Sequence, residues 1–256
     1  MQPNRLFSIN PSKFGGTPIG TIPSQPADEA VGVETVAVER SEFKGIIAGM
    51  ILGDGCLSFS GGKNAFLRIQ HGEKQKEYLD YKVKILKQLT NVTTYTIKPS
   101  GKNNPYTQYA CKTRRHPLYT RLRNIIYPKG KKEVSMTWLS WLNEQGLALW
   151  YMDDGSLVKR CSYDKIGARR IYGRLISLHT CSFSFEQNQL LQAFLVERFG
   201  LEFNIKLHSK KTGYYKLAAG AKTANKLFEI IEPYIVPCLK YKLDMQYQQQ
   251  PYEGRS

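Results

Sequence analysis

The chain has 256 residues with 37 Lys and Arg against 21 Asp and Glu, a formal net charge of +16 at pH 7. That length buries a real core without staples, and the five scattered cysteines, none in C-x-x-C spacing, point to neither a disulfide framework nor a zinc site. The basic excess runs along the whole chain and favours a nucleic-acid partner, while the longest apolar run, Gly45 to Gly53, is far short of the ~20 residues of a membrane helix, so no membrane partner is expected.

Residues 1–40 hold Pro, Gly and Thr with scattered acids and lack the apolar run of a secretory signal, so they read as an N-terminal extension. A helix follows, with Ser41 as N-cap and Ile46 to Leu52 as its apolar body, ending in Gly53-Asp54-Gly55. Gly61-Gly62 marks a hairpin in which Leu67 and Ile69 alternate with Arg68 and Gln70. A long helix near Glu73 to Thr90 leads to a second hairpin, where Tyr95 and Ile97 oppose Thr94, Thr96 and Lys98. The next helix closes on IIYP, Ile125 to Pro128.

The same order then recurs. A helix from Asn143 through Gly146 to Met152 ends in Asp153-Asp154-Gly155, a strand alternates Leu201, Phe203, Ile205 and Leu207 with Glu202, Asn204, Lys206 and His208, and a helix closes on IIEP, Ile230 to Pro233. Gly55 and Gly155, His71 and His179, and Ile97-Lys98 and Ile205-Lys206 repeat at near-constant offsets, the mark of a duplicated unit of about a hundred residues. The expected division is 1–40 extension, 41–132 first repeat, 133–245 second repeat and 246–256 C-terminal tail. Antiparallel sheets with one wet face are indicated. The side chains expected to meet DNA are Arg68, Gln70, Lys98, Lys112, Lys159, Arg174, Asn204, Lys206, His208 and Lys216, of types that pair with base edges and phosphates.

Each repeat puts an aspartate at a helix C-terminus, where the helix dipole disfavours a negative charge by roughly 0.3–1 kcal/mol. Small residues, Gly45, Ala48, Gly49 and Ala148, allow the two helices to approach, and two carboxylates brought together repel unless a divalent cation lies between them. One Gly-Asp-Gly after a helix is usually a cap and turn; two copies in register favour Asp54 and Asp154 as Mg²⁺ ligands for phosphodiester hydrolysis.

The strings IAGMILGDG, Ile47 to Gly55, and LALWYMDDG, Leu147 to Gly155, resemble the paired motifs of single-chain LAGLIDADG homing endonucleases, and the resemblance covers about residues 41 to 245. It implies an α+β fold, a tandem pseudo-twofold repeat of αββαββα whose motif helices pack at the twofold beneath a saddle of two antiparallel sheets. It implies Mg²⁺-dependent double-strand cleavage, with Mn²⁺ as a substitute. The metal would lie on Asp54 and Asp154 beside Gly53 and Asp153, with the Asp153 side chain peripheral. It also implies a lysine from each half at the active site, Lys132 and Lys242, with Lys131 and Lys240 as close rivals. Leu149 and Trp150 exceed the motif's usual size there, which predicts looser packing of the second helix at that level.

YMDD, Tyr151 to Asp154, also occurs in reverse transcriptases, but on a hairpin, whereas the spacing here is helical. A maturase that holds folded intron RNA without cutting DNA is the alternative function left open. The initial Met1 and the lack of flanking splicing blocks favour a free-standing enzyme over an intein-borne one. Two unequal halves predict a monomer on a long asymmetric site of double-stranded DNA.

Overall fold

The computed structural model describes residues 40–243 apart from 101–104, 164, 168 and 210. The expected C-terminal tail, and the N-terminal extension but for Arg40, lie outside the described residues. The first half runs α1 (Arg40–Leu52), β1 (Cys56–Ser58), β2 (Phe66–Gly72), α2 (Lys76–Lys87), β3 (Val92–Ile97), β4 (Gln108–Thr113) and α3 (Pro117–Ile126). After a short α4 (Met136–Leu139), the second runs α5 (Glu144–Asp154), β5 (Gly155–Tyr163), β6 (Arg169–Leu178), α6 (Phe185–Phe199), β7 (Asn204–Ser209), β8 (Tyr214–Ala219) and α7 (Ala221–Ile231), closing in a 3₁₀ stretch, Pro237–Lys242.

The two sheets are antiparallel and share one topology, β1-β2-β4-β3 and β5-β6-β8-β7. The fold is therefore the expected tandem αββαββα. Among the described residues no helix is long and apolar enough to cross a membrane.

α1 and α5 pack against each other through glycine. A Cβ on Gly49 would strike the Gly146 carbonyl, and one on Gly146 would strike the Gly45 carbonyl, so the backbones touch where only hydrogen fits. α5 starts on Asn143, whose side chain accepts from the Gly146 N–H at 2.8 Å. Ser41 is not a cap, because α1 already includes Arg40. Leu149 and Trp150 do not loosen the pair: the close approach lies a turn earlier, at Gly146. Both bulky side chains are instead fully buried in the core, where the Leu149 carbonyl accepts from Tyr78 Oη at 3.1 Å.

Strand register decides which side chains share a face. In the first sheet Arg68 pairs with Lys112, and Lys112 with Thr93, so these lie on the open side, opposite Leu67, Ile69 and Cys111. Tyr95 and Ile97 pair with Ala110 and Gln108 and belong to the open side too, the reverse of the sequence expectation. β3 is an edge strand with little burial on either face, so its alternation carried no true inside.

In the second sheet Lys206 pairs with Lys216, and Asn204 with Ala218, which pairs with Ser177. Lys159 pairs with Arg174, in step with Leu157 and the buried Ile176, on the helix-covered side.

Candidate active site and nucleic-acid face

The α1 helix ends at Leu52, and Gly53-Asp54 forms the turn that follows, with the Gly55 N–H donating to the Met50 carbonyl at 2.7 Å. Asp154 is the last residue of α5, and its carbonyl accepts from the His179 N–H at 3.0 Å. The Asp154 carboxyl is pushed up to about 7 by burial first and then by the negative charges of Asp54 and Asp153. Burial, followed by Asp153, also raises Asp54, against the opposing pull of Lys82, Lys132 and Lys242. Two acids facing this much repulsion and desolvation make a cation-seeking centre.

Each motif ending is met by one lysine from its own half. Lys132 Nζ donates to the Ile51 carbonyl at 2.6 Å and the Gly53 carbonyl at 3.3 Å. Lys242 Nζ donates to the Met152 carbonyl at 2.6 Å and the Asp153 carbonyl at 3.4 Å. The Gly53 and Asp153 carbonyls are equivalent positions of the repeat, while Ile51 and Met152 are one residue out of step, and both lysines satisfy carbonyls that a helix C-terminus leaves open. Burial lowers both ammonium pKa values from the ordinary lysine value, opposed by the aspartates. The rivals Lys131 and Lys240 are exposed.

Asp153 is not peripheral. Its side chain is fully buried, with Oδ1 at 2.6 Å from Lys82 Nζ and Oδ2 accepting the Asp54 N–H at 3.0 Å. Both oxygens are thus committed, and of the two motif-end residues Gly53 and Asp153 only the backbone carbonyls remain as donors toward a metal.

Lys82 also meets His71 Nε2 at 3.1 Å and lies over the Tyr78 ring at 4.2 Å. Burial, and then Lys82, lower His71 to about 4, so the imidazole is neutral. With Nε2 accepting from Lys82, the Nδ1–H faces Gln75 Oε1 at 3.3 Å and Asp54 Oδ2 at 3.5 Å. Sequence reasoning found His71 only as a landmark of the repeat and missed Lys82. The readable signal was a lysine within the apolar stripe Tyr78, Leu79, Val83 and Leu86 of α2.

The expected contact residues divide by face. Arg68, Gln70 and Lys112 share the open side of the first sheet, where Arg68 Nη2 donates to Gln70 Oε1, Gln70 donates to Gln108, and Lys112 Nζ lies over the Tyr95 ring at 5.7 Å. Asn204, Lys206 and Lys216 share the open side of the second sheet, with His208 at a β7 irregularity. Arg174 instead donates to Asn225 Oδ1 on α7 at 3.0 Å, which draws it and its strand partner Lys159 away from that face. Lys98 lies past Ile97, the last paired residue of β3.

Comparison with known proteins places this geometry. Residues 44–227 match the model of the LAGLIDADG DNA endonuclease family. The chain is 33% identical over 140 residues to the probable intron-encoded DNA endonuclease 3 of Mycosarcoma maydis, covering 53% of this chain and 92% of that protein. It is 30% identical over 204 residues to the protein RecA of Mycobacterium gastri, covering 77% of this chain but only 46% of that longer protein. Its fold is similar to that of the homing endonuclease I-WcaI bound to its DNA recognition sequence, with a TM-score of 0.65 at 24% identity, over 81% of this chain and 88% of that one. With two motif helices crossing on glycine, an aspartate ending each and two sheets of one topology, the chain belongs to the LAGLIDADG DNA endonuclease family.

Proposed function

We propose that the protein is a site-specific homing endonuclease that hydrolyses both strands of a DNA duplex at the Asp54–Asp154 centre. The observation that carries this reading is the matched pair of motif ends, each an aspartate followed by glycine and each with its own lysine donating to carbonyls of the helix end, the residue before the aspartate among them in both. A binding module has no use for two mutually repelling carboxylates at paired helix ends. A metal-dependent hydrolase does.

The donor set fits Mg²⁺. Its atoms are hard oxygens, the carboxylates of Asp54 and Asp154 and the carbonyls of Gly53 and Asp153, while His71 Nε2 beside them is occupied by Lys82. When bound there, Mg²⁺, or Mn²⁺ in its place, supplies charge to polarise the scissile phosphate and acidify an attacking water. The chain's own part is to present both aspartates ionised and fixed. Asp153 holds the Asp54 backbone and His71 faces the Asp54 carboxylate, while Lys132 and Lys242 bring positive charge to where phosphate charge builds up in the transition state.

DNA lies across the open sheet faces in this reading, met by Arg68, Gln70 and Lys112 in one half and by Asn204, Lys206, His208 and Lys216 in the other. The differing halves suit a monomer on a long asymmetric site. The repeats would be 41–132 and 133–245.

Incubation with a randomised duplex library tests the proposal. Discrete double-strand cuts with Mg²⁺ or Mn²⁺ and none in EDTA are expected. Tight binding to folded intron RNA without any DNA cutting would turn the case to a maturase.

A further inference from the structure

A second cluster of metal-binding side chains lies in the second half and is chemically unlike the first. His179, Cys181 and His208 each bring one ligand atom within 4.8 Å of the other two. We propose that these three residues form a site for a thiophilic divalent ion of the Zn²⁺ or Co²⁺ class, built from different residues than the Mg²⁺ carboxylates. Two imidazoles and a thiol are borderline-to-soft donors, which select such ions over Mg²⁺.

The site is built rather than incidental. His179 and Cys181 flank Thr180 in the turn after β6, and that turn is fastened to α6: Thr180 Oγ1 donates to Asn188 Oδ1 at 2.5 Å, and the fully buried Asn188 amide donates to the Phe183 and Ser184 carbonyls at 3.2 and 2.9 Å. His208 comes from β7, where the pairing with β8 slips between Leu207 and Ser209, an irregularity of the kind that re-aims a side chain. The two imidazole rings stand at 89° with centroids 5.5 Å apart. Ser156 Oγ lies 3.0 Å from His179 Nε2 and orients that ring, as outer partners do for metal-bound histidines.

Capture of an ion uses the lone pair of a neutral imidazole from each histidine and the sulfur of Cys181. Binding then replaces the S–H bond with an S–metal bond and releases one proton to solvent. Three protein ligands leave one position for water, as in open zinc sites.

The test is a Co²⁺ titration of the full chain with its thiols kept reduced, followed by absorption. A thiolate-to-cobalt charge-transfer band at one ion per chain is expected, bleached by Zn²⁺ and absent from Cys181→Ser. His208→Gln, a change at an exposed strand position that leaves the fold intact, should bind Co²⁺ more than about tenfold more weakly, a loss already typical of an outer-shell partner. Asp54→Asn with Asp154→Asn should retain the band. The proposal is overturned by the absence of a charge-transfer band at saturating Co²⁺, by a band that survives Cys181→Ser, or by one that disappears with the two aspartates.

Discussion

Lys82 of the first repeat and Asp153 of the second form an ion pair at 2.6 Å with both side chains fully buried. It ties α2 to the end of α5 across the two halves, and its second carboxylate oxygen holds the Asp54 N–H. Removing one partner of such a pair strands a charge, so Lys82→Met should cost about 3–5 kcal/mol in urea unfolding. Adding Asp153→Asn, which keeps an acceptor for Asp54 but drops the charge, should restore more than half of that loss. Equal destabilisation in the single and double variants would show that the pair does not carry the effect.

The helix crossing makes a second prediction. Gly49→Ala drives a methyl into the Gly146 carbonyl and should destabilise by at least about 1–3 kcal/mol, the usual cost of overpacking. Gly72→Ala, where an added Cβ meets open space, should change stability by less than about 0.5 kcal/mol. Denaturation midpoints of the two variants measure the contrast.

In EDTA the Asp154 carboxyl should withdraw stability as pH rises from about 4 towards 7, because it binds its proton more tightly folded, at about 7, than at its ordinary value of 3.8. The His71 imidazole, lowered to about 4, acts in the opposite sense over the same window, so the Asp154 share is read by comparison with a variant. Asp154→Asn removes the cost, and its melting temperature should exceed that of the wild type at pH 8 by more than it does at pH 4. An identical difference at both pH values would contradict the burial and repulsion described at this carboxyl.

On the open sheet faces Lys206→Ala and Lys216→Ala should each weaken DNA binding and lower the salt slope of log K by about 1, as loss of one phosphate contact does. Arg174→Ala, on the helix side against Asn225, should leave that slope unchanged. Titrations at several salt concentrations separate the two faces.

Much of this architecture was legible in the sequence, for physical reasons. Asp54 and Asp154 stood out because a short helix ending is repeated in register, and the glycine contact was foreshadowed by Gly45 and Gly49, although Gly146 rather than Ala148 faces them. Alternation identified β2, since its inward Leu67 and Ile69 have a core to meet, whereas in the edge strand β7 only Ile205 packs partly against the core and Leu207 stays exposed. It misled at β3, another edge strand, and Lys159 and Arg174 were expected at DNA by residue type, whereas strand pairing reveals that they step with Leu157 and the buried Ile176. The roles of Lys82 and Asp153 were hidden because each is explained by a partner in the other repeat. His179, Cys181 and His208 escaped the cysteine spacing test because a turn and a β7 irregularity bring them together, not a sequence motif.

The most direct measurement is Mg²⁺-dependent cleavage of a duplex target selected from the randomised library, with Asp54→Asn and Asp154→Asn beside the wild type and DNA binding measured in parallel. The account predicts that each substitution abolishes double-strand cleavage while binding persists. Double-strand cleavage that survives either substitution would contradict an active centre shared by the two aspartates.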